Sequence, residues 1–119
     1  MTSVLVVDDE PDIALICRLA LTLAGFDVEE RDCGQGALDY LADAAPDVVL
    51  LDLRLPDLSG WQVLDALRSA GRIPGLKVIL FSAHASAAQA AVDAGCVSFL
   101  AKPFTPEDLI AHVTKAAAH

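Results

Sequence analysis

Val4-Leu5-Val6-Val7-Asp8-Asp9-Glu10 and Val48-Val49-Leu50-Leu51-Asp52 decide the reading of this chain. Each is a short apolar run that ends abruptly in acid. Runs of this length without polar alternation fit strands buried on both faces. Two more follow the pattern with other endings: Val78-Ile79-Leu80-Phe81 leads into Ser82, and Phe99-Leu100-Ala101 into Lys102-Pro103. If these are parallel strands of one sheet, their carboxyl ends share an edge, and an α/β sheet binds its ligands at that edge. The edge then gathers carboxylates, a hydroxyl and an ammonium, a set suited to a divalent metal together with a phosphoryl group.

Helical patterns fill the intervals. Pro11 suits the first turn of a helix that runs to Leu23 or Ala24 and stops at Gly25, with Ile13, Ile16, Leu19, Ala20 and Leu23 expected inward. Phe26–Arg31 reads as a more polar strand near an edge. A helix from about Gly34 to Ala44 turns Ala37, Leu38 and Leu41 inward. After a loop from Leu53 to Ser59, Trp61, Leu64 and Leu67 recur at helical spacing, and that helix ends near Gly71. A turn at Ile73–Gly75 precedes the strand Lys77–Phe81. An alanine-rich helix, Ala85–Ala94, precedes the strand Val97–Ala101. Thr105-Pro106-Glu107-Asp108 marks the start of the last helix, which carries Leu109, Ile110 and Val113. Five strands alternating with five helices predict an α/β fold, a doubly wound parallel sheet with right-handed crossovers. Without repeat or linker, residues 1–119 read as a single domain.

The 119 residues suffice for one core, and 55% hydrophobic content argues against disorder. The apolar runs are too short to span a bilayer, and the amino terminus enters a strand without a signal-peptide pattern, so a soluble, cytoplasmic protein without membrane contact is expected. Seventeen acids against eight bases, a formal net charge of -9, exclude direct nucleic-acid binding through a basic face. Asp8, Asp9, Glu10 and Asp12 lie close in sequence, and like charges so near repel unless a cation sits among them. Cys17, Cys33 and Cys96 lack ligand spacing, and Cys17 and Cys96 fall in apolar patterns as small core residues. His84, His112 and His119 do not cluster with them, so zinc is not expected.

The Asp8-Asp9 pair, Asp52, Leu55-Pro56-Asp57 with Gly60, Ser82-Ala83, and Phe99 with Lys102-Pro103-Phe104 resemble the receiver domain of two-component response regulators. The match runs end to end, with the motifs in order. The resemblance implies a flavodoxin-like, CheY-like sheet of order 2-1-3-4-5 and phosphorylation of Asp52. It implies Mg²⁺ held by Asp9, by Asp52, by the backbone carbonyl of Arg54, and by Asp8 directly or through water. It also implies a Lys102-Pro103 peptide that is often cis.

Each residue type suits that chemistry. A carboxylate attacking an anionic phosphoryl group needs the repulsion offset by a hard cation, which prefers oxygen ligands. Lys102 would meet the phosphoryl oxygens, and Ser82 would hydrogen-bond one of them. Phe99 matches the family's switch aromatic, and lacking a hydroxyl it is expected to be inward much of the time even without phosphate. Arg54 and His84 should rim the pocket, where the family tunes acyl-phosphate hydrolysis, and the guanidinium points to slow self-dephosphorylation.

A histidine kinase or histidine phosphotransfer protein is the implied donor, docking by family analogy on the first helix near Ile13, Ala14 and Cys17. A downstream protein or fused output domain would read the face of the fourth helix, fifth strand and fifth helix. The nearly uncharged fourth helix reads equally as a partner surface or as plain alanine helix propensity. The chain is either a stand-alone receiver or a domain of a longer protein. An aspartyl phosphatase would want a second acid where Arg54 stands. A flavodoxin-type flavin carrier would not place Asp8-Asp9-Glu10 where it needs a phosphate loop. An unphosphorylated interaction module would be free to lose Asp52, Lys102 or the acid pair, and none is missing. No catalytic turnover beyond self-chemistry at Asp52 is expected.

Overall fold

The computed structural model describes residues 1–73 and 75–118. Pro74, within the expected Ile73–Gly75 turn, and His119 lie outside the described residues. The elements are β1 (Ser3–Val7), α1 (Pro11–Leu23), β2 (Asp27–Arg31), α2 (Gly34–Asp43), β3 (Val48–Asp52), α3 (Gly60–Ser69), β4 (Lys77–Ser82), α4 (Ala88–Asp93), β5 (Ser98–Ala101) and α5 (Pro106–Ala117). The five strands form one parallel sheet in the order β2-β1-β3-β4-β5.

Alternation along each strand divides the core in two. Leu5, Val7, Val49, Leu51, Val78 and Leu80 pack with α2, α3 and α4 on one face. Val4, Val6, Val48, Leu50, Ile79 and Phe81 pack with α1 and α5 on the other. The central strands are therefore apolar on both sides, which explains their unbroken hydrophobic runs. β2, at the edge, needs no such run and alternates exposed Asp27 and Glu29 with half-buried Val28 and Glu30.

Helix ends follow their chemistry. Ser59 caps α3 and Thr105 caps α5, each in a reciprocal capping box, with Gln62 and Asp108 respectively. α1 closes through Gly25 at φ +96°, where the Gly25 N–H reaches the Thr22 carbonyl and the Phe26 N–H the Leu21 carbonyl. That closure draws Phe26 out of the strand in which it was expected.

The expected inner face of α1 is partly wrong. Cys17 and Leu21 are buried and Ile13 and Ala20 pack beside them, but Ile16, Leu19 and Leu23 are exposed, Leu23 by 89%. The helix carries more apolar residues than its arc against β1, β2 and α5 can cover, so periodicity alone could not choose among them. Because Cys17 is fully buried, a partner on α1 cannot touch it, and the exposed apolar side of the helix is Leu15, Ile16, Leu19 and Leu23. The alanine-rich helix is also shorter than expected. Ala85–Ala87 form a 3₁₀ turn and only Ala88–Asp93 are α-helical. Neither His84 nor Ala87 offers a side-chain cap, so the first turn satisfies its amides by tightening. β5 begins at Ser98 rather than Val97, although the Val97 N–H still reaches the Val78 carbonyl at 2.9 Å.

The join between β3 and α3 is tight. A Cβ on Gly60 would lie 2.8 Å from the Asp52 carbonyl oxygen and 3.0 Å from the Leu53 Cα. Both neighbours are backbone and cannot yield cheaply. Gly60→Ala should lower stability by about 1–3 kcal/mol, as overpacking does, read as a lower urea midpoint. An unchanged midpoint would mean that α3 slides away freely.

Candidate functional site

The carboxyl ends of β1, β3, β4 and β5 bring Asp8, Asp52, Ser82 and Lys102 to one edge, and all but Lys102 are buried there. Asp8 is 3% and Asp52 5% exposed. The Lys102 ammonium stands 3.1 Å from Asp8 Oδ2, 3.3 Å from Glu10 Oε1 and 3.5 Å from Asp52 Oδ1. Its Nζ lies over the ring of Phe81, 4.7 Å from the centroid. Phe104 braces that ring edge-on at 6.2 Å. The Lys102–Pro103 peptide is cis.

Burial pushes the Asp52 carboxyl up to about 6, and the neighbouring Asp8 charge adds to it, while Lys102 and the Arg54 N–H pull the other way. Burial by itself would lower the Lys102 ammonium, but Asp52 and Asp8 outweigh it and hold it above its ordinary value. The edge is thus an excess of anionic charge partly neutralised by one half-buried cation. Carboxylate oxygens of Asp8, Glu10 and Asp52 lie within 4.8 Å of one another, a donor set suited to a hard divalent cation.

Asp9 is exposed at the mouth of a cavity of about 330 Å³ that also contains Asp52, Ser82 and Lys102. Glu10, not Asp9, completes the compact carboxylate group, a placement the sequence reading missed. The signal was the third acid of the run, but beyond the strand the alternation that assigns faces has ended. The Glu10 amide in turn donates to Asp8 Oδ1 at 2.8 Å and fixes that carboxylate.

Ser82 is buried, and its Oγ accepts the His84 N–H at 3.1 Å, leaving the hydroxyl proton free to donate. Arg54 and His84 both rim the cavity, and they meet: Arg54 Nη2 lies 2.7 Å from His84 Nε2. A guanidinium only donates, so Nε2 accepts and the ring proton sits on Nδ1. Phe99 is away from the cavity, half-buried against the α2–α3–α4 face of the core.

The loop after Asp52 is held at several points. The Arg54 N–H approaches Asp52 Oδ1 at 3.4 Å, Arg54 and Ser59 form an isolated antiparallel bridge, and the Gly60 N–H reaches the Leu53 carbonyl at 2.7 Å. Asp57 accepts the Gly34 N–H at 2.7 Å and the Gln35 N–H at 2.9 Å, so it caps α2 from a distance in sequence.

Because the folded protein holds a proton on Asp52 more tightly than an ordinary carboxyl, its charged form opposes folding. That penalty is absent below pH 4, where both states are protonated, and complete above about pH 6. Without metal, Asp52→Asn should raise stability at pH 7.5 by about 1–3 kcal/mol. The gain should vanish as pH falls from 6 to 4 in urea titrations. A loss of stability at pH 7.5 would show that the Lys102 contact outweighs the burial cost.

Among the described residues no helix is long and apolar enough to cross a membrane. A family model described as "Response regulator receiver domain" matches residues 4–114. The transcriptional regulatory protein KdpE of Mycobacterium tuberculosis is 42% identical over 118 residues, which are 98% of this chain and 51% of that protein. The chain therefore spans about half the length of that curated relative. The chemotaxis response regulator CheY4 of Vibrio cholerae is similar in structure, with a TM-score of 0.90 at 28% identity over 98% of each chain. The response regulator TrrA of Thermotoga maritima, solved in complex with Mg²⁺-BeF, has a TM-score of 0.87 at 28% identity, over 98% of this chain and 99% of that one. Family match, strand order and strand-end chemistry agree, and the chain belongs to the CheY-like response regulator receiver domains of two-component systems, which are regulatory domains.

Proposed function

We propose that Asp52 accepts a phosphoryl group from the phosphohistidine of a histidine kinase or phosphotransfer protein, and that the modification changes which partner the domain binds. The observation that carries this is the buried Asp52 carboxylate facing an open cavity, with Asp8 and the Lys102 ammonium beside it. An Asp52 oxygen attacks phosphorus, the phosphorus–nitrogen bond breaks, and the histidine leaves as the acyl phosphate forms. Lys102 then exchanges carboxylate contacts for phosphoryl oxygens, and the free Ser82 proton donates to one of them.

The acids fit a divalent cation, and the Mg²⁺-BeF complex of TrrA supports Mg²⁺ as that ion. In this reading Asp9, Asp52 and the Arg54 carbonyl would hold it, with Asp8 direct or through water. The bound ion supplies positive charge against which the carboxylate and the incoming phosphoryl group can approach. Residues 1–119 act as one receiver, with no turnover beyond the gain and loss of its own phosphoryl group.

Once Ser82 turns to the phosphoryl group, its bond to the His84 amide is given up, and the loop after β4 is free to move. Phe99 then settles further inward, a shift between two packed states biased by one charged group. α4, β5 and α5 carry the change to a downstream protein or fused output domain. The exposed apolar side of α1 is where the donor helix docks. The reading places the domain in the cytoplasm.

Intact mass after incubation with Mg²⁺ and a small phosphodonor tests the proposal. Wild type should gain one phosphoryl group, lost with chelator and absent in Asp52→Asn. A folded wild type that gains none, even from phosphorylated histidine proteins, would overturn it. Arg54 and His84 meet at the cavity rim, where the guanidinium is placed to hold the phosphoryl group or obstruct the attacking water, so hydrolysis should be slow, and Arg54→Ala should shorten the phosphoprotein lifetime about threefold or more. An equal lifetime would remove any protective role for the guanidinium.

A further inference from the structure

Asp57 lies outside the cavity, yet it is one of the most firmly engaged exposed side chains of the domain. We propose that Asp57 is a positioning residue for the phosphoacceptor pocket, holding the loop that carries the Arg54 carbonyl by clamping its tip to the first turn of α2. The inference rests on the divalent-cation reading above and assigns a determinant of that site beyond the residues that line it.

The first turn of an α-helix leaves N–H groups without intrahelical partners. At α2 the residue in the capping position is Cys33, whose thiol takes the Gly36 N–H at 3.2 Å. The N–H groups of Gly34 and Gln35 are met by the two oxygens of Asp57, from the loop between β3 and α3. A third amide, that of Leu58, donates to Asp57 Oδ1 at 2.9 Å. These amide bonds hold the Asp57 carboxyl below its ordinary value, so it stays charged at the positive end of the helix.

Both surfaces are shaped for the contact. A Cβ on Gly34 would lie 2.8 Å from the Leu58 Cβ, so only a glycine lets the loop approach this closely. At its other end the loop is closed by the Arg54–Ser59 bridge and the Gly60–Leu53 hydrogen bond. Base and tip are thus anchored separately, with Arg54 itself in the base. Freeing the tip leaves the Arg54 carbonyl positioned by the base alone. Partners of this kind, which touch no ligand themselves, commonly set metal affinity through the groups they orient.

The test uses the full chain as wild type, Asp57→Ala, Asp57→Asn and Cys33→Ser/Asp57→Ala. Mg²⁺ affinity is read from amide chemical shifts of residues 52–54 during MgCl₂ titration, and stability from thermal melting without metal. Asp57→Ala should weaken Mg²⁺ binding about tenfold, and Asp57→Asn, with one acceptor oxygen, should fall between. The Cys33→Ser change supplies a better cap. It should recover melting temperature in the double variant but not Mg²⁺ affinity. Unchanged affinity in Asp57→Ala, or affinity recovered together with stability in the double variant, would reduce Asp57 to a helix cap and overturn the proposal. A wild type with no saturable Mg²⁺ response would instead overturn the metal reading, and this proposal with it.

Discussion

Asp8 and Asp52 stand almost out of water beside each other, and the Lys102 ammonium is within 3.5 Å of both. Two carboxylates this close repel, and burial disfavours the charge on Asp52. Lys102 makes the pair tolerable but does not neutralise it, and Glu10 adds a further anion from the surface. The result is a pocket whose resting state is electrostatically unsatisfied and which gains by taking up positive charge. The proposed phosphoryl acceptor would need that property, since a cation that relieved the pocket would also let an anion approach it.

The rest of the fold serves to keep these groups in place. The apolar runs of β1, β3 and β4 are buried on both faces, so their ends are rigid and their spacing is set by the sheet. Phe81, under the Lys102 ammonium, is itself braced by Phe104. On the open side, Arg54 and His84 meet across the rim, and the Ser82 oxygen accepts a backbone amide. The proposed switch would use both parts, because the charge must be fixed while its surroundings change.

Much of this was legible in the chain. Four apolar runs, each ending in a polar residue of its own kind, were enough to place Asp8, Asp52, Ser82 and Lys102 at strand ends, whereas the order of the five strands came from the family resemblance. The helix faces were less legible. α1 has apolar residues to spare, and only contact with β1, β2 and α5 separates Cys17 and Leu21 from exposed Ile16, Leu19 and Leu23. The alanines of 85–94 gave no cap signal, and the helix they suggested is partly a 3₁₀ turn. Glu10 lay past the end of the strand, where alternation no longer applies. The Arg54–His84 contact and the Asp57 clamp join residues 30 and more than 20 positions apart. Local pattern marks such residues as polar and no more; their partners exist only once the sheet has brought the loops together.

The most direct measurement is a crystal structure of the chain with Mg²⁺ and beryllofluoride, a tetrahedral stand-in for the phosphoryl group. The account predicts beryllium on an Asp52 oxygen, the Lys102 ammonium moved off Glu10 onto a fluoride, and Ser82 donating to another. Lys102 still bridging Asp8 and Glu10 beside an unmodified Asp52, at saturating ligand, would contradict it.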